Sequence, residues 1–205
     1  MKDIYLYENS DVLRNKLNIQ NAPILADAEA DYVSMRLREL AMNPLNGEYD
    51  EAHYFRMHNY IFQDIYEWAG VPRRINIQKS EDVLGGMSVE YSDVVDIVKD
   101  TRYCLARLND TRWNDLPQKT VVERFSDWLA YLWRIHAFRE GNTRTTITFM
   151  CQYADARINK IERSLFEENS AYVRTALVAY NAYFKDGSDF RKKEYLQNIV
   201  EDALF

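Results

Sequence analysis

Nine consecutive residues constrain this chain more than any others: His136-Ala137-Phe138-Arg139-Glu140-Gly141-Asn142-Thr143-Arg144. They combine a histidine, a carboxylate, a Gly-Asn pair and two arginines, and they lie between two apolar segments. Upstream, Phe125, Trp128, Leu129, Leu132, Trp133 and His136 recur at steps of three and four, which is helical spacing. His136 therefore falls on the apolar face, at the C-terminal end of a helix. Gly141-Asn142 breaks the period, because both residues tolerate unusual backbone angles. A new helix from about Thr143 would aim its free N–H groups back at the loop, and such an end is a ready anion site. Arg144 adds a charge suited to phosphate. Glu140 is a hard oxygen ligand of the kind that holds magnesium together with substrate phosphates. His136 then reads as a general base for an incoming hydroxyl. The same residues also admit a plainer account: a satisfied core histidine followed by a helix–helix connection.

The rest of the composition limits the alternatives. With 205 residues, 47% hydrophobic and 14% aromatic, the chain can bury a substantial core as one domain, residues 1–205. Only 6 glycines and 4 prolines leave little material for the tight turns of an all-β protein, so a mostly α fold is expected. The net charge of −6 and the absence of a basic run argue against nucleic acid as a primary partner. Cys104 and Cys151 lie far apart in apolar contexts and read as reduced core thiols. No leader and no apolar run of membrane-spanning length is visible, so no membrane partner and a cytoplasmic location are expected.

Taken in order, residues 1–24 form an N-terminal arm, read as a tether, with a short helix capped by Ser10 and an end at Pro23. Helices are expected over 27–42 and from an Asp50 cap to Trp68, with His53 and His58 as structural residues. The helical period then lapses. Arg74 to Lys79 alternates like a strand, Gly85-Gly86 is a turn signal, and residues 72–89 read as a β-hairpin. Further helices are expected over 89–108, from Pro117 into the motif, over 143–156, over 169–184 and over 189–205. The Thr145–Thr148 run has weak helix propensity, so packing must hold it.

The motif reads HAFREGNTRTTI and resembles the Fic (Fic/Doc) signature His-Pro-Phe-x-Asp/Glu-Gly-Asn-Gly-Arg-x-x-Arg. A second passage, Met57 to Gly70, resembles the segment that precedes the flap in that family. The resemblance spans residues 25–200. It implies an all-α Fic-like helical bundle with a small β-hairpin flap (72–89) beside the active-site loop (136–147). It further implies a protein adenylyltransferase that moves AMP from ATP, with Mg2+, to a hydroxyl of a target protein. By the same resemblance His136 is the base, Phe138 anchors the loop and Glu140 binds the metal. Gly141, Asn142, Thr143 and Arg144 hold the nucleotide. The flap, with Ile77, Lys79 and Leu84, docks the target as an added strand.

Three positions depart from the signature: Ala137 for proline, Thr143 for glycine and Ile147 for the second arginine, which grips the far end of the triphosphate in the family. These departures keep two alternatives in view: a different donor or transferred group (phosphoryl, UMP), and a catalytically silent domain that binds nucleotide or a partner. Ser164 to Asn169 matches the family's inhibitory pattern, but reads as a helix boundary with Asn169 or Ser170 as cap. Control by a small antitoxin-like partner is the expectation instead. An oligomeric state is compatible with everything above.

Overall fold

The computed structural model describes residues 3–205. Among these the regular structure is helical: α1 (Ala22–Met42), α2 (Glu51–Phe62), α3 (Ile97–Asn109), α4 (Gln118–Ile135), α5 (Asn142–Arg157), α6 (Arg163–Glu168), α7 (Ser170–Tyr180) and α8 (Glu194–Leu204). α5 is central and packs on α2 and α4. α4 also meets α3 and α8, while α1 lies against α2 and α7 against α8.

The reason for this centre is visible in α4 and α5. In α4, Val121, Val122, Phe125, Leu129, Leu132 and Trp133 share the buried face, each large side chain contributing about 1.5–3 kcal/mol by leaving water. In α5 the weak helix formers are held from outside. Thr145 and Thr146 are fully buried; the Thr145 hydroxyl donates to the Gly141 carbonyl and Thr146 shares a 2.8 Å hydrogen bond with the Tyr54 hydroxyl. A buried hydroxyl needs such a partner, so this helix is specified by its neighbours more than by its own propensity.

Several boundaries differ from expectation, for local reasons. Pro23 opens α1 instead of closing the arm: it sits in the first helical turn, where its missing N–H costs nothing, and Asn21 caps the Ile24 N–H at 3.1 Å. Ser10 caps no helix; its hydroxyl accepts the Val12 N–H in a turn, and the arm closes with an antiparallel bridge between Leu6 and Leu13. α2 stops at Phe62, well short of Trp68, and the chain folds back so that Gly70 meets His58. α3 starts at Ile97, because the Asp93 and Asn76 side chains take the Val95 and Val94 N–H groups that a helix would use.

Residues 72–89 double back as expected, but without a β-ladder. The arms meet through Glu81 N–H to Met87 C=O (3.1 Å), a 3-10 turn at Asp82–Leu84 forms the tip, and the Lys79 N–H goes to the Ser88 hydroxyl. A side chain thus takes the place of a strand partner. The loop is anchored by Glu81, which is buried and paired on both oxygens with Arg174 of α7 at 2.7 and 2.9 Å. Leu84 is buried in the core, which corrects the expectation that its side chain meets a target. Val83 and Met87 face outward instead.

No helix among the described residues is long and apolar enough to cross a membrane.

Candidate active site

α4 ends where the sequence breaks. His136 caps it in the left-handed conformation (φ 50°, ψ 55°). A non-glycine residue pays roughly 1–2 kcal/mol for this geometry, a strain found chiefly where surrounding structure enforces it. The enforcing group is Arg73. It is 2% exposed, and its N–H fork donates to the carbonyls of His136 (Nε, 2.8 Å), Ile75 (Nη1, 2.7 Å) and Ser92 (Nη2), while its own backbone N–H donates to Ala137 C=O at 2.8 Å.

The imidazole of His136 is buried, stacked on Tyr91 with ring centroids 4.0 Å apart and meeting the edge of Trp133 at 5.5 Å. Neither ring nitrogen has a hydrogen-bond partner among the described residues. Burial, with the positive charges of Lys79, Arg73 and Arg174, pushes its pKa well below the ordinary histidine range. A neutral imidazole with both nitrogens uncommitted is the form a general base requires.

The loop that follows is tied down residue by residue. Phe138 is fully buried and stacks face to face on His58 at 3.7 Å. His58 accepts the Gly70 N–H at Nδ1 (2.8 Å), which leaves Nε2 to carry the proton and donate to Glu140 C=O (3.0 Å). The second signature-like passage therefore serves to hold the first. Asn142 clasps the backbone of Phe138 from both sides: Oδ1 accepts its N–H at 2.9 Å and Nδ2 donates to its carbonyl at 2.7 Å. Its side chain is thus spent on the loop, and only its main chain can face a phosphate. Gly141 sits at φ 81°, and a Cβ there would fall 2.3 Å from the Phe62 ring; no other residue fits.

α5 begins at this point. Its first internal hydrogen bond is Thr145 N–H to Gly141 C=O, so the amides of Asn142, Thr143 and Arg144 have no acceptor within the helix. Free amides at the positive end of a helix dipole are the chemistry that suits an anion. The Thr143 hydroxyl accepts the Trp133 indole N–H at 2.9 Å. Arg144 lies over the Phe62 ring and pairs with Glu29 of α1 at 2.7 Å. The carboxyl of Glu140 takes the Gly141 N–H on Oε1 (3.0 Å) and the Lys79 ammonium on Oε2 (3.3 Å). Burial raises its pKa; Lys79, the Gly141 N–H and Arg144 outweigh that and leave it below the usual value. His136, Glu140, Gly141, Asn142, Thr143 and Arg144 thus converge, with Lys79 reaching in from the 72–89 loop. Ile77 is half-buried away from these contacts.

A family model described as Fic/DOC family matches residues 48–154. The chain belongs to the Fic/DOC family. It is 31% identical over 200 residues to a probable protein adenylyltransferase, y4lH, of Sinorhizobium fredii, covering 98% of this chain and 88% of the relative. It is 29% identical over 152 residues to the protein adenylyltransferase VbhT of Bartonella schoenbuchensis, covering 74% of this chain and 30% of that longer protein. Among solved structures, the BepC protein of Bartonella tribocorum with bound AMPPNP superposes with a TM-score of 0.79 at 20% identity, covering 98% of this chain and 96% of that one. The N-terminal Fic domain of a Bep effector from Bartonella quintana gives 0.73 at 25% identity, covering 97% and 90%.

In this Fic chain, four site features carried no recognisable signal in the sequence: Arg73, Tyr91, Glu29, and the Glu81–Arg174 anchor. Ser164 to Asn169 lies at the boundary between α6 and α7, as expected; Asn169 stands between the two helices, its side chain donating to the Leu165 carbonyl of α6 and bonding no N–H of α7, and Glu168 faces solvent. The arginine such a glutamate pairs with in the family is Ile147 here, and the remaining motif arginine, Arg144, is paired with Glu29.

The buried histidines predict an acid weakness. Burial pushes His58 down to about 3 and His136 well below its ordinary value. Both are neutral in the native state, so as pH falls through about 6.5 the unfolded chain binds protons that the native chain refuses. Stability is full above that pH and is lost below it. The loss is about 1.4 kcal/mol per histidine between about pH 7.5 and 5.5. Urea unfolding midpoints should fall across this window, and a His58→Phe variant, which leaves the buried His53 and His136 in place, should show a smaller fall. A midpoint that stays level would contradict the burial argument.

Proposed function

We propose that the chain is a protein adenylyltransferase that moves AMP from ATP to a hydroxyl side chain of a target protein. The observation that carries this reading is the neutral His136 imidazole, without a hydrogen-bond partner among the described residues, on the loop that leads directly into the free amides of α5. A base and a polyphosphate cradle within one loop are what hydroxyl attack on a nucleotide phosphate needs. The adenylyltransferase relatives point to the same reaction.

His136 would accept the proton of the acceptor hydroxyl as its oxygen attacks the α-phosphorus. The amides of Asn142, Thr143 and Arg144 and the Arg144 guanidinium would hold the phosphates, and pyrophosphate would leave. Negative charge building on those oxygens would meet dipoles already in place. Glu140 fits a divalent cation: among the described residues its Oε2 faces the Lys79 ammonium at 3.3 Å, and magnesium commonly takes one carboxylate plus substrate phosphates. No cluster of three or more His, Cys, Asp or Glu side chains among the described residues could hold an ion alone. A bound magnesium would supply charge neutralisation at the phosphates.

The outward Val83 and Met87, with Ile77, give the 72–89 loop a surface for the backbone of an acceptor segment. Control by a small protein partner is supported by a groove of about 510 Å³ beside the motif. It is walled by Leu37, Ile147, Phe166 and Val173 and edged by Arg38 and Arg144. That shape suits an amphipathic helix bearing a carboxylate.

The test uses ATP labelled separately on the α- and the γ-phosphorus, incubated with the protein, Mg2+ and a cell extract. Protein-bound α-label without γ-label is expected. Bound γ-label would mean phosphoryl transfer and would overturn the choice of reaction.

A further inference from the structure

Lys79 reaches the site from an unexpected direction. Of the two Glu140 oxygens, Oε1 is engaged by the Gly141 N–H and lies 3.9 Å from Arg144. Oε2 has Lys79 Nζ as its contact, at 3.3 Å. Oε2 is therefore the oxygen open to an ion, and an ammonium already stands there. We propose that Lys79 is a resident stand-in for the divalent cation: it neutralises Glu140 in the nucleotide-free protein and gives up that place when the metal arrives with nucleotide. The inference rests on the assignment of Glu140 as the metal carboxylate, and it moves Lys79 from target docking to the nucleotide site.

Two observations support it. The first is need. Glu140 is largely enclosed, and a carboxylate withdrawn from water requires a counter-charge whenever the site is empty. A lone carboxylate holds a bare divalent cation weakly, since most of the ion's ligands are to come from phosphates and water. The second is mechanics. The backbone at Lys79 is fixed by the Ser88 hydroxyl, and two residues on Glu81 is locked to Arg174. The main chain stays over the site while the four-carbon arm is free to swing. The exchange of one cation for another thus needs a change of rotamer and no loop movement. Once displaced, the ammonium would suit the phosphates as a flexible point charge.

The test compares ATP affinity by calorimetry in EDTA and in Mg2+, for the wild-type protein and for Lys79→Met. Without metal, the variant leaves Glu140 Oε2 without its counter-charge against the incoming phosphates, with only the Gly141 N–H and Arg144 on the Oε1 side. With metal, the ion supplies that charge itself. The factor by which Mg2+ tightens ATP binding should therefore be about fivefold larger in the variant, the upper end for a partly exposed ion pair. A factor equal to wild type overturns the proposal, even if both affinities drop, because a merely structural lysine weakens both alike and a target-docking lysine changes neither. Glu140→Gln, measured in parallel, separates the failures. It should bring the Mg2+ factor close to one; a Glu140→Gln factor equal to wild type removes the metal assignment itself, and the proposal with it.

Discussion

His136→Ala is expected to transfer AMP about 10²–10⁴-fold more slowly than wild type, the range a positioned general base contributes. ATP binding should be almost unchanged. The two effects separate because the site is built in two parts. The phosphates are to be held by the amides of α5, by Arg144 and, through a metal, by Glu140, none of which touches the imidazole. The proton is to be taken by a ring whose nitrogens have no hydrogen-bond partner among the described residues. Stability should move by no more than about 1 kcal/mol. Alanine keeps the cost of the left-handed backbone and loses the Tyr91 stacking, but it also removes two buried, unpaired nitrogens. Transfer of α-label, ATP calorimetry and urea unfolding read the three quantities. A variant that keeps transfer within tenfold of wild type would remove His136 as base.

Low reliance on the His136 proton also follows. Its depressed pKa means that the neutral form persists at mildly acid pH, so an acid fall in rate near pH 6.5 should be absent where the fold survives.

The motif was legible because its chemistry is local. Helical spacing in Phe125–Trp133, the Gly141 break and the helix start after it are decided within a few residues; the helix begins at Asn142, one residue before the expected Thr143. What was not legible depends on contacts distant in sequence. Leu84 stands just before the Gly85-Gly86 turn signal of the expected hairpin, yet it is buried, because Glu81 draws the loop down onto Arg174 of α7. Lys79 sits on the expected flap, but only the fold shows that it faces Glu140. Asn142 was read as a phosphate residue, and its type alone could not reveal that the amide is committed to Phe138. Pro23 was ambiguous for a different reason: proline both ends segments and opens helices, and the Asn21 cap decides between the two.

Arg73→Met is expected to lower stability by roughly 2–5 kcal/mol, since it strips the donor from three inward carbonyls, at about 1–3 kcal/mol for each that stays unpaired, less the relief of a buried charge. Its effect on the reaction should be larger than stability alone explains. Arg73 grips the His136 carbonyl and, through its own amide, Ala137, so it fixes the left-handed turn that aims the imidazole. A displacement of about 1 Å at a reacting group costs on the order of 10² in rate. Arg73→Lys should recover little of either loss, because one ammonium cannot serve carbonyls that a planar fork reaches in different directions. The pH profile separates positioning from general loosening. Arg73 is one of the cations that keep His136 neutral; without it the imidazole protonates at higher pH, and the acid limb of kcat/KM should move upward in the fraction that remains folded. A variant that loses stability but keeps both the wild-type turnover per folded molecule and the wild-type acid limb would show that Arg73 supports the fold and not the base.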